Sequence, residues 1–392
     1  MADSAGPADQ PQPPGLGVVL REWGRIGCIG FGGPPAHITL LRELCVERRG
    51  WLTDHEFEDA IAVTNLLPGP GSTQLAIYCA WRVNGVAGAL VGGLSFIVPG
   101  LILILGLAVL FLAASPPDWV RGAGAGAGSA VAAVAVQAGA SLAPASWRRA
   151  SVKWRWIVYA LLGGLSAATV GPWLVVVLLG SGAFELAARR ADRQQGDRLA
   201  LHAWPVIAVA AAGSGGLLAL AWVAFKVGAL SYGGGFVIIP LMHADAVDNY
   251  HWMTDGEFLS AVALGQITPG PVVQTVAVVG YAAAGLGGWL LAATVAFAPS
   301  FSFILIGADR FERLRANTSV RSFLDGAGPA AIGAIIGAAI PLALALTETW
   351  QFAILGAAAI ALFVLRQGIV STLVAAGAVG ALAATLGAPL PS

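Results

Sequence analysis

Two Pro-Gly-Pro motifs followed by polar residues are the part of this sequence whose residue types and spacing suggest chemistry. They read LLPGPGSTQ from Leu66 and ITPGPVVQT from Ile267. Proline suits the first position of a helix, so a helix that begins there presents backbone N–H groups without intrahelical partners. These groups and the helix macrodipole attract anions. We therefore predict an anion site at two groups of amides, those of Gly71, Ser72 and Thr73 and those of Val272, Val273 and Gln274.

Uncharged polar side chains surround both motifs. They can donate hydrogen bonds to the oxygens of an oxyanion, and they are Asn65, Ser72, Thr73 and Gln74 in one case and Gln266, Thr268, Gln274 and Thr275 in the other. Two further glycine pairs, Gly32-Gly33 and Gly233-Gly234, let the backbone approach a ligand closely. His37 is a candidate substrate ligand; the alternative is that it makes only a local hydrogen bond.

Two cations stand at matching positions, Arg25 and Lys226, each seven residues before a glycine pair. Ionisable residues inside membrane helices face a partner or a cavity, so we predict that both contribute to the anion site. The alternative for Arg25 is an ion pair with Glu22, one turn earlier. Val223 stands where Lys226 would need such an acid. Glu22 is also a candidate for coupling transport to an ion gradient.

The motifs occur twice because the chain consists of two homologous halves. Trp51 corresponds to Trp252 at an offset of 201 residues, and the offset becomes 200 from Gly85 and Gly285 onward. The predicted organisation is a disordered cytoplasmic tail (1–14), a first transport repeat (15–188), a cytoplasmic linker (189–203) and a second repeat (204–392) that starts with an additional helix, Trp204–Phe225.

The composition predicts an all-α polytopic membrane protein. Of the 392 residues, 57% are hydrophobic and 11% are charged, whereas about 25% are charged in a soluble protein. Apolar runs such as 86–114 and 286–307 reach the ~20 residues that cross a bilayer as a helix. The net charge of zero gives no reason to expect a nucleic-acid partner. No nucleotide-binding motif, metal-ligand spacing or paired cysteines occur, so we expect no cofactor, no metal and no enzymatic activity.

Loop charges predict that the two repeats have inverted topology. Residues 147–155 carry four basic residues, whereas the matching loop 347–350 carries none. Basic loops stay in the cytoplasm, so matching loops lie on opposite faces. The count of crossings then requires that the segment from Glu56 to Arg82 enters the membrane, turns at Pro-Gly-Pro and leaves on the same side. The alternative is one long helix with a proline kink.

Broken helices in inverted repeats are typical of transport sites near the bilayer midplane. Together with GFGGPPAHI (from Gly30), the two Pro-Gly-Pro motifs resemble those of the chromate ion transporters, in the long two-repeat form. The matching motif residues are Gly32, Gly33, Pro34, His37, Pro68, Gly69, Pro70 and Gln74, and Gly233, Gly234, Pro269, Gly270, Pro271 and Gln274. The second half departs from the pattern, with Gly235 in place of Pro34 and Ile238 in place of His37.

The resemblance implies secondary active export of chromate across the inner membrane, driven by the membrane potential or an ion gradient, and hence chromate resistance. A carrier of sulfate or another oxyanion and an anion channel remain alternatives. The expected partners are chromate- or sulfate-type oxyanions and the lipid bilayer, with a homodimer left open. The N-terminus is expected in the cytoplasm.

Overall fold

A computed structural model describes residues 14–113, 115–169, 174–193, 216–231, 237–308 and 317–391, and all regular secondary structure in these ranges is helical. The helices of the first half are α1 Leu16–Ile29, α2 Pro34–Arg42, α3 Asp54–Thr64, α4 Gly71–Phe111, α5 Asp118–Arg149, α6 Lys153–Thr169 and α7 Leu174–Arg193. Those of the second half are α8 Leu217–Leu230, α9 Ile238–His243, α10 Asp255–Ile267, α11 Thr275–Gly307, α12 Thr318–Gly337, α13 Ala339–Leu344, α14 Thr349–Ala359 and α15 Ile369–Thr385. π-Helical turns extend α2 over Glu43–Arg48 and α9 over Ala244–Asn249.

Four helical segments are long and apolar enough to cross a membrane: Gly71–Phe111, Asp118–Arg149, Val272–Gly307 and Thr318–Leu344. They occupy matching places in the two halves, since α4 corresponds to 272–307 and α5 to α12–α13. The prediction of an all-helical polytopic membrane protein with two homologous repeats is confirmed.

The helix is broken around the first Pro-Gly-Pro motif as the sequence predicts. α3 has 11 residues and ends before the motif, and α4 starts directly after it. α4 is itself interrupted at Asn84 and Gly85, where Gly85 has φ +56° and ψ −151°. Beyond this point the chain folds back, because a Cβ added at Gly93 would lie 2.8 Å from Ile77 of the preceding arm. α3 and the first part of α4 thus form a hairpin around the motif, as expected of a re-entrant segment, and the second part of α4 is by itself long enough to cross a bilayer.

The second half repeats this arrangement. α10 has 13 residues, a 3₁₀ turn at Val272–Gln274 follows its break, and α11 is interrupted at Ala284 and Gly285. Gly280 and Gly288, on either side of this interruption, pack against each other. The alternative of one long helix kinked by proline is therefore wrong for both motifs.

Capping boxes fix the start of both re-entrant arms. Thr53 and Glu56 cap α3, and Thr254 and Glu257 cap α10 by the same reciprocal side-chain and backbone bonds. These bonds satisfy N–H groups at the helix start that have no intrahelical acceptor. The Thr53 backbone hydrogen bond, together with Arg82, holds the pKa of Glu56 below its usual value against the opposing effect of burial. The boxes were predicted from the sequence spacing.

Helix directions show that the repeats are inverted. Gly333 of α12 lies against Ala160 of α6, and Gly337 lies against Gly164, so α12 runs parallel to α6. The turn at residues 150–152 reverses the chain between α5 and α6. The equivalent helices α5 and α12 therefore run in opposite directions.

Helices of each repeat pack against helices of the other repeat. α12 packs on α6 and α7 of the first repeat, while α5 packs on α15 of the second, where Gly126 approaches Gly380 through small side chains. Arg189 joins α7 to α12, because it lies 2.9 Å from Asp325 and 2.7 Å from the buried Glu185. Close packing of small residues and satisfied buried charges are what hold helices together in lipid. The repeats are therefore interlocked.

The predicted additional helix at 204–225 needs a correction. α8 begins at Leu217 after the N-cap Gly216 and is the counterpart of α1, which follows Gly15. Residues 217–225 therefore belong to the repeat itself. Residues 204–215 lie outside the described residues, as do 194–203 of the predicted linker; α7 continues to Arg193.

Candidate anion-binding site

Three helix starts meet where the two repeats touch. A small cavity of about 10 Å³ is lined by Pro34 of α2, by Pro70, Gly71 and Ser72 at the start of α4, and by Pro271, Val272 and Val273 of the second repeat. This is about the space that one water molecule needs. The structure thus brings the two predicted groups of amides together and adds Pro34 at the start of α2, directly after the Gly32-Gly33 pair that was predicted to approach the ligand. We call these three helix starts the tips.

The amides at the tips are only partly as predicted. Those of Gly71 and Ser72 have no backbone acceptor in the described part of the chain, and neither do those of Val272 and Val273. The third amide of each group is occupied, because the Thr73 N–H donates to the Pro70 carbonyl (3.0 Å) and the Gln274 N–H donates to the Pro271 carbonyl (2.9 Å). The prediction of three available amides per tip is therefore wrong; each has two.

Glycine is required where the chain changes direction at the tips. Gly69 has φ +116° and Gly270 has φ +98°, values that side chains other than hydrogen rarely tolerate. Gly32 and Gly33, before α2, have φ +96° and +71°. The flanking prolines, Pro68 and Pro70 in the first motif and Pro269 and Pro271 in the second, leave no backbone N–H to be satisfied at those points. The motif residues therefore shape the break.

Each Pro-Gly-Pro loop packs on the crossing helix of the other repeat. A Cβ added at Gly100 of α4 would lie 2.5 Å from Oε1 of Gln274, and one added at Gly69 would lie 3.6 Å from Oγ of Ser300 on α11. Gly100 and Ser300 are equivalent positions in the two halves, one residue after Pro99 and Pro299. The sequence analysis did not find them, although their place after a repeated proline was a usable signal.

His37 connects the two tips without reaching the cavity. It is fully buried, its Nε2 donates to the Gly30 carbonyl (2.9 Å), and its Nδ1 lies 3.1 Å from the Ser72 hydroxyl. The Gly30 carbonyl also accepts the N–H of Gly270 from the second repeat (3.1 Å). Because a carbonyl only accepts, Nε2 carries the proton, and Nδ1 then accepts from Ser72. The predicted direct contact with substrate is not what this geometry provides.

The two equivalent glutamines each leave one oxygen unpaired. The Gln74 amide nitrogen donates to the Pro68 carbonyl (2.7 Å), and that of Gln274 donates to Thr268 Oγ1 (2.6 Å) and to the Pro269 carbonyl (3.1 Å). Both Oε1 atoms are buried without a partner among the described residues, as are Thr73 Oγ1 and Ser300 Oγ. Buried polar atoms of native proteins are nearly always satisfied, so unpaired ones mark places for water or ligand.

Three other predicted polar residues have local roles. The Thr275 hydroxyl donates to the Val272 carbonyl (2.8 Å), and the Thr268 hydroxyl donates to the Leu264 carbonyl (2.8 Å). Asn65 is exposed. Gly233 and Gly234 lie outside the described residues.

The two predicted cations are not equivalent in space. Arg25 is exposed, so the expectation of a buried guanidinium is wrong. Lys226 is 18% exposed and forms a salt bridge with Asp245 (2.5 Å), so the expectation that it has no acidic partner is also wrong. Asp245 lies in the π-helical turn after α9, 19 residues further along the chain, where the sequence analysis did not look for a partner.

Glu22 is buried and forms a salt bridge with Arg49, with Arg21 farther away at 3.6 Å. Its partner is therefore not Arg25, as the alternative interpretation assumed. The Glu22–Arg49 pair joins α1 to the end of the turn after α2, and the Lys226–Asp245 pair joins the matching elements of the second half with the charges exchanged. Both pairs are neutral as a unit, and neither belongs to the residues that line the cavity.

This arrangement of inverted repeats, paired broken helices and helix starts meeting at the contact between the repeats is typical of membrane transporters. Comparison with known proteins gives the family. The family described as "Chromate transporter" matches residues 18–186 and 218–384, one match in each half. The chain belongs to this family and is a multi-pass membrane protein.

Individual relatives match over most of the chain. The "Chromate transport protein" of Cupriavidus metallidurans is 32% identical over 366 residues, which cover 90% of this chain and 89% of the relative. The protein of the same description from Pseudomonas aeruginosa is 28% identical over 355 residues (86% and 83%), and the "Probable chromate transport protein" of Synechococcus elongatus is 28% identical over 329 residues (81% and 82%). No solved structure matches the chain.

Proposed function

We propose that this protein is a secondary active transporter that exports chromate across the cytoplasmic membrane and thereby confers chromate resistance. The observation that carries the proposal is the meeting of three helix starts, two from the first repeat and one from the second, around one cavity. The family and the descriptions of its relatives as chromate transport proteins suggest the substrate. The N-terminus lies in the cytoplasm, in accord with the basic loop at residues 147–155.

Helix starts supply most of the positive potential that a dianion needs. Each contributes about half an elementary charge, so the three tips contribute roughly 1.5 charges in total. The Gly71, Ser72, Val272 and Val273 amides are the donors, since the Ser72 hydroxyl already donates to His37 Nδ1. No unpaired cation is needed in the cavity, in accord with the neutral Lys226–Asp245 pair.

The cavity is too small for the substrate in this conformation. Room for one water molecule does not accommodate a tetrahedral oxyanion, so the tips must separate before chromate binds. Separation is possible at the breaks, because the Gly69 and Gly270 backbones there make no helical hydrogen bonds. We therefore assign this conformation to a state of the alternating-access cycle in which the tips are closed.

Uptake of radiolabelled chromate into inverted membrane vesicles tests the proposal. We expect uptake when the vesicles are energised, and its loss when an uncoupler is added. Vesicles that contain the chain but take up no chromate above empty vesicles would refute the function. Uptake of sulfate in preference to chromate would favour the sulfate carrier, and ion flux in planar bilayers far above carrier rates would favour a channel.

Labelling of introduced cysteines tests the orientation. Ser151→Cys lies in the basic loop between α5 and α6, and Thr347→Cys lies in the matching loop before α14. We expect an impermeant thiol reagent added to intact cells to modify Thr347→Cys and to spare Ser151→Cys. Modification of both from the same side would contradict the assignment of the two faces.

A further inference from the structure

His243, the last residue of α9, lies between two carboxylates. Its Nε2 is 2.8 Å from Asp255 of α10, and its Nδ1 is 3.6 Å from Asp248 of the π-helical turn. Phe258 packs edge-on against the ring with 5.1 Å between centroids. The side chain is 14% exposed, whereas Asp248 and Asp255 are 63% and 52% exposed.

The first repeat has an arginine in the equivalent place. Arg42 corresponds to His243 and Asp54 to Asp255 at the offset of 201 residues, and Arg42 contacts both Asp54 and Glu58. In both repeats, then, a basic residue at the end of a short helix (α2 or α9) holds the start of the re-entrant arm that follows (α3 or α10). The bond is permanent in the first repeat, since arginine stays charged. In the second repeat it depends on a proton.

The geometry favours the protonated imidazole. A neutral imidazole has one donor and one acceptor nitrogen, whereas a protonated one donates from both. The Nε2–Asp255 contact (2.8 Å) is a hydrogen bond, whereas the Nδ1–Asp248 contact (3.6 Å) is an ion-pair distance. Loss of the proton would weaken the bond to Asp255 and set a lone pair toward Asp248. Histidine is the side chain whose charge normally changes between pH 5 and pH 8.

Among the residues that the structure describes, the other acidic groups near His243 are already paired. The cavity beside His243, of about 190 Å³, is otherwise lined by uncharged residues apart from Asp248: Ala167, Ala168 and Thr169 of α6, Ile239 and Pro240 of α9, Ala244, and Ala338, Pro341 and Leu342 near α13. Asp245, in the same turn, is bound by Lys226. Glu257, in the first turn of α10, is bound to the Thr254 N–H in its capping box. Asp248 and Asp255 are thus the groups that respond to the charge of His243.

We propose that His243, with Asp248 and Asp255, is a proton-binding latch that operates on one face of the membrane only. With the proton bound, α9 is held to α10 and the second re-entrant arm is closed; without it, these elements separate and open the cavity toward α6. By the inverted topology this face is the outer one. The connection to chromate export rests on the proposed function, whereas the latch itself does not.

Labelling of a cysteine in the cavity measures the latch without any anion. Ala167 is 5% exposed and lies on the α6 wall of the cavity. Ala167→Cys is made in full-length protein in which Cys28, the exposed natural thiol, is replaced by alanine, and the protein is reconstituted in vesicles. The same variant with His243→Arg is the matched control. Its arginine stays charged at every pH tested, and its cysteine reacts with the same intrinsic pH dependence.

We expect the labelling rate relative to the His243→Arg control to rise about tenfold between pH 5.5 and pH 8, the effect of weakening one charge-assisted hydrogen bond. A ratio that stays constant over this range would overturn the proposal, whether or not the protein exports chromate. If Ala167→Cys does not fold, chromate uptake into inverted vesicles at varied lumenal pH decides instead, because the outer face of the protein lies inside these vesicles. His243→Arg should then flatten the profile, whereas His55→Arg, at the exposed His55–Asp59 pair, should not; a similar effect of both would overturn the latch.

Discussion

Replacing Gly100 by alanine tests whether the contact between each Pro-Gly-Pro loop and the opposite crossing helix controls transport. The new Cβ would lie 2.5 Å from Oε1 of Gln274, and the carbonyl oxygen of Pro269 is closer still. Real Cβ atoms keep at least 3.0 Å from such neighbours. The second motif and α4 would therefore have to separate by about 0.8 Å, the difference between 3.0 Å and the 2.2 Å to the Pro269 carbonyl oxygen. Overpacking of this kind costs about 1–3 kcal/mol.

If this cost falls on the conformation in which the tips are close together, it corresponds to a loss of about 5- to 150-fold in the equilibrium population of that conformation. We expect chromate uptake into inverted vesicles, normalised to the amount of protein in the membrane, to fall within this range. Gly106→Ala is the matched control, because nothing lies within 4 Å of a Cβ at Gly106 on the same helix. Wild-type uptake by Gly100→Ala would refute the reasoning about the contact.

Further substitutions separate the roles of charge and backbone. Lys226→Gln should reduce stability by about 3 kcal/mol and abolish uptake, because it leaves the Asp245 carboxylate buried without its cation, with the Asn249 amide as its remaining donor; adding Asp245→Asn should restore much of both, and Lys226→Arg should keep the pair. An equal loss in the single and double variants would show that the lysine charge acts on the anion directly. Gly285→Ala should lower stability by about 1–3 kcal/mol through backbone strain alone, since Gly285 has φ +60° and nothing lies within 4 Å of the added Cβ. Gly287→Ala, equally open but helical, should be silent in the same thermal unfolding assay.

Much of the fold was predictable because the motifs that determine it occur in both halves of the sequence. The paired Pro-Gly-Pro motifs, the capping boxes before them and the glycines that end each second arm recur at nearly constant offset. Arm lengths of about a dozen residues are too short to span a bilayer, and this excluded a single crossing. Loop charge then predicted the inversion that the directions of α5 and α12 show.

The ion pairs were not predictable from the repeat. Glu22–Arg49 and Lys226–Asp245 join matching elements through residues that are not equivalent to each other, with acid and base exchanged. Repeat equivalence suggested that Arg25 and Lys226 share a role, yet one is exposed and the other is paired. When the acid and the base of an ion pair swap places between the two repeats, the pair leaves no repeated pattern in the sequence.

The role of His37 also needed tertiary structure. Its two hydrogen bonds reach seven residues back and 35 residues ahead, and its link to the second repeat runs through the Gly30 carbonyl. Sequence reasoning identified a histidine near a tip but could not tell a ligand from a residue that positions the tips. The same holds for the start of α2, whose approach to the other two tips depends on packing between the repeats.

The most direct test that the tips bind the anion is to measure chromate binding after a substitution by proline has removed a single backbone N–H group. Gly71 occupies the first position of α4, where proline is compatible with a helix, and Pro70 before it is already extended with ψ 97°. Gly71→Pro therefore removes one donor with little change of fold, and Gly71→Ala keeps the donor and adds a Cβ. Equilibrium binding of radiolabelled chromate to purified protein should weaken by about tenfold or more in Gly71→Pro, since a hydrogen bond to a charged group contributes about 1.5–3 kcal/mol, and should stay near wild type in Gly71→Ala. Unchanged binding by Gly71→Pro would contradict the account.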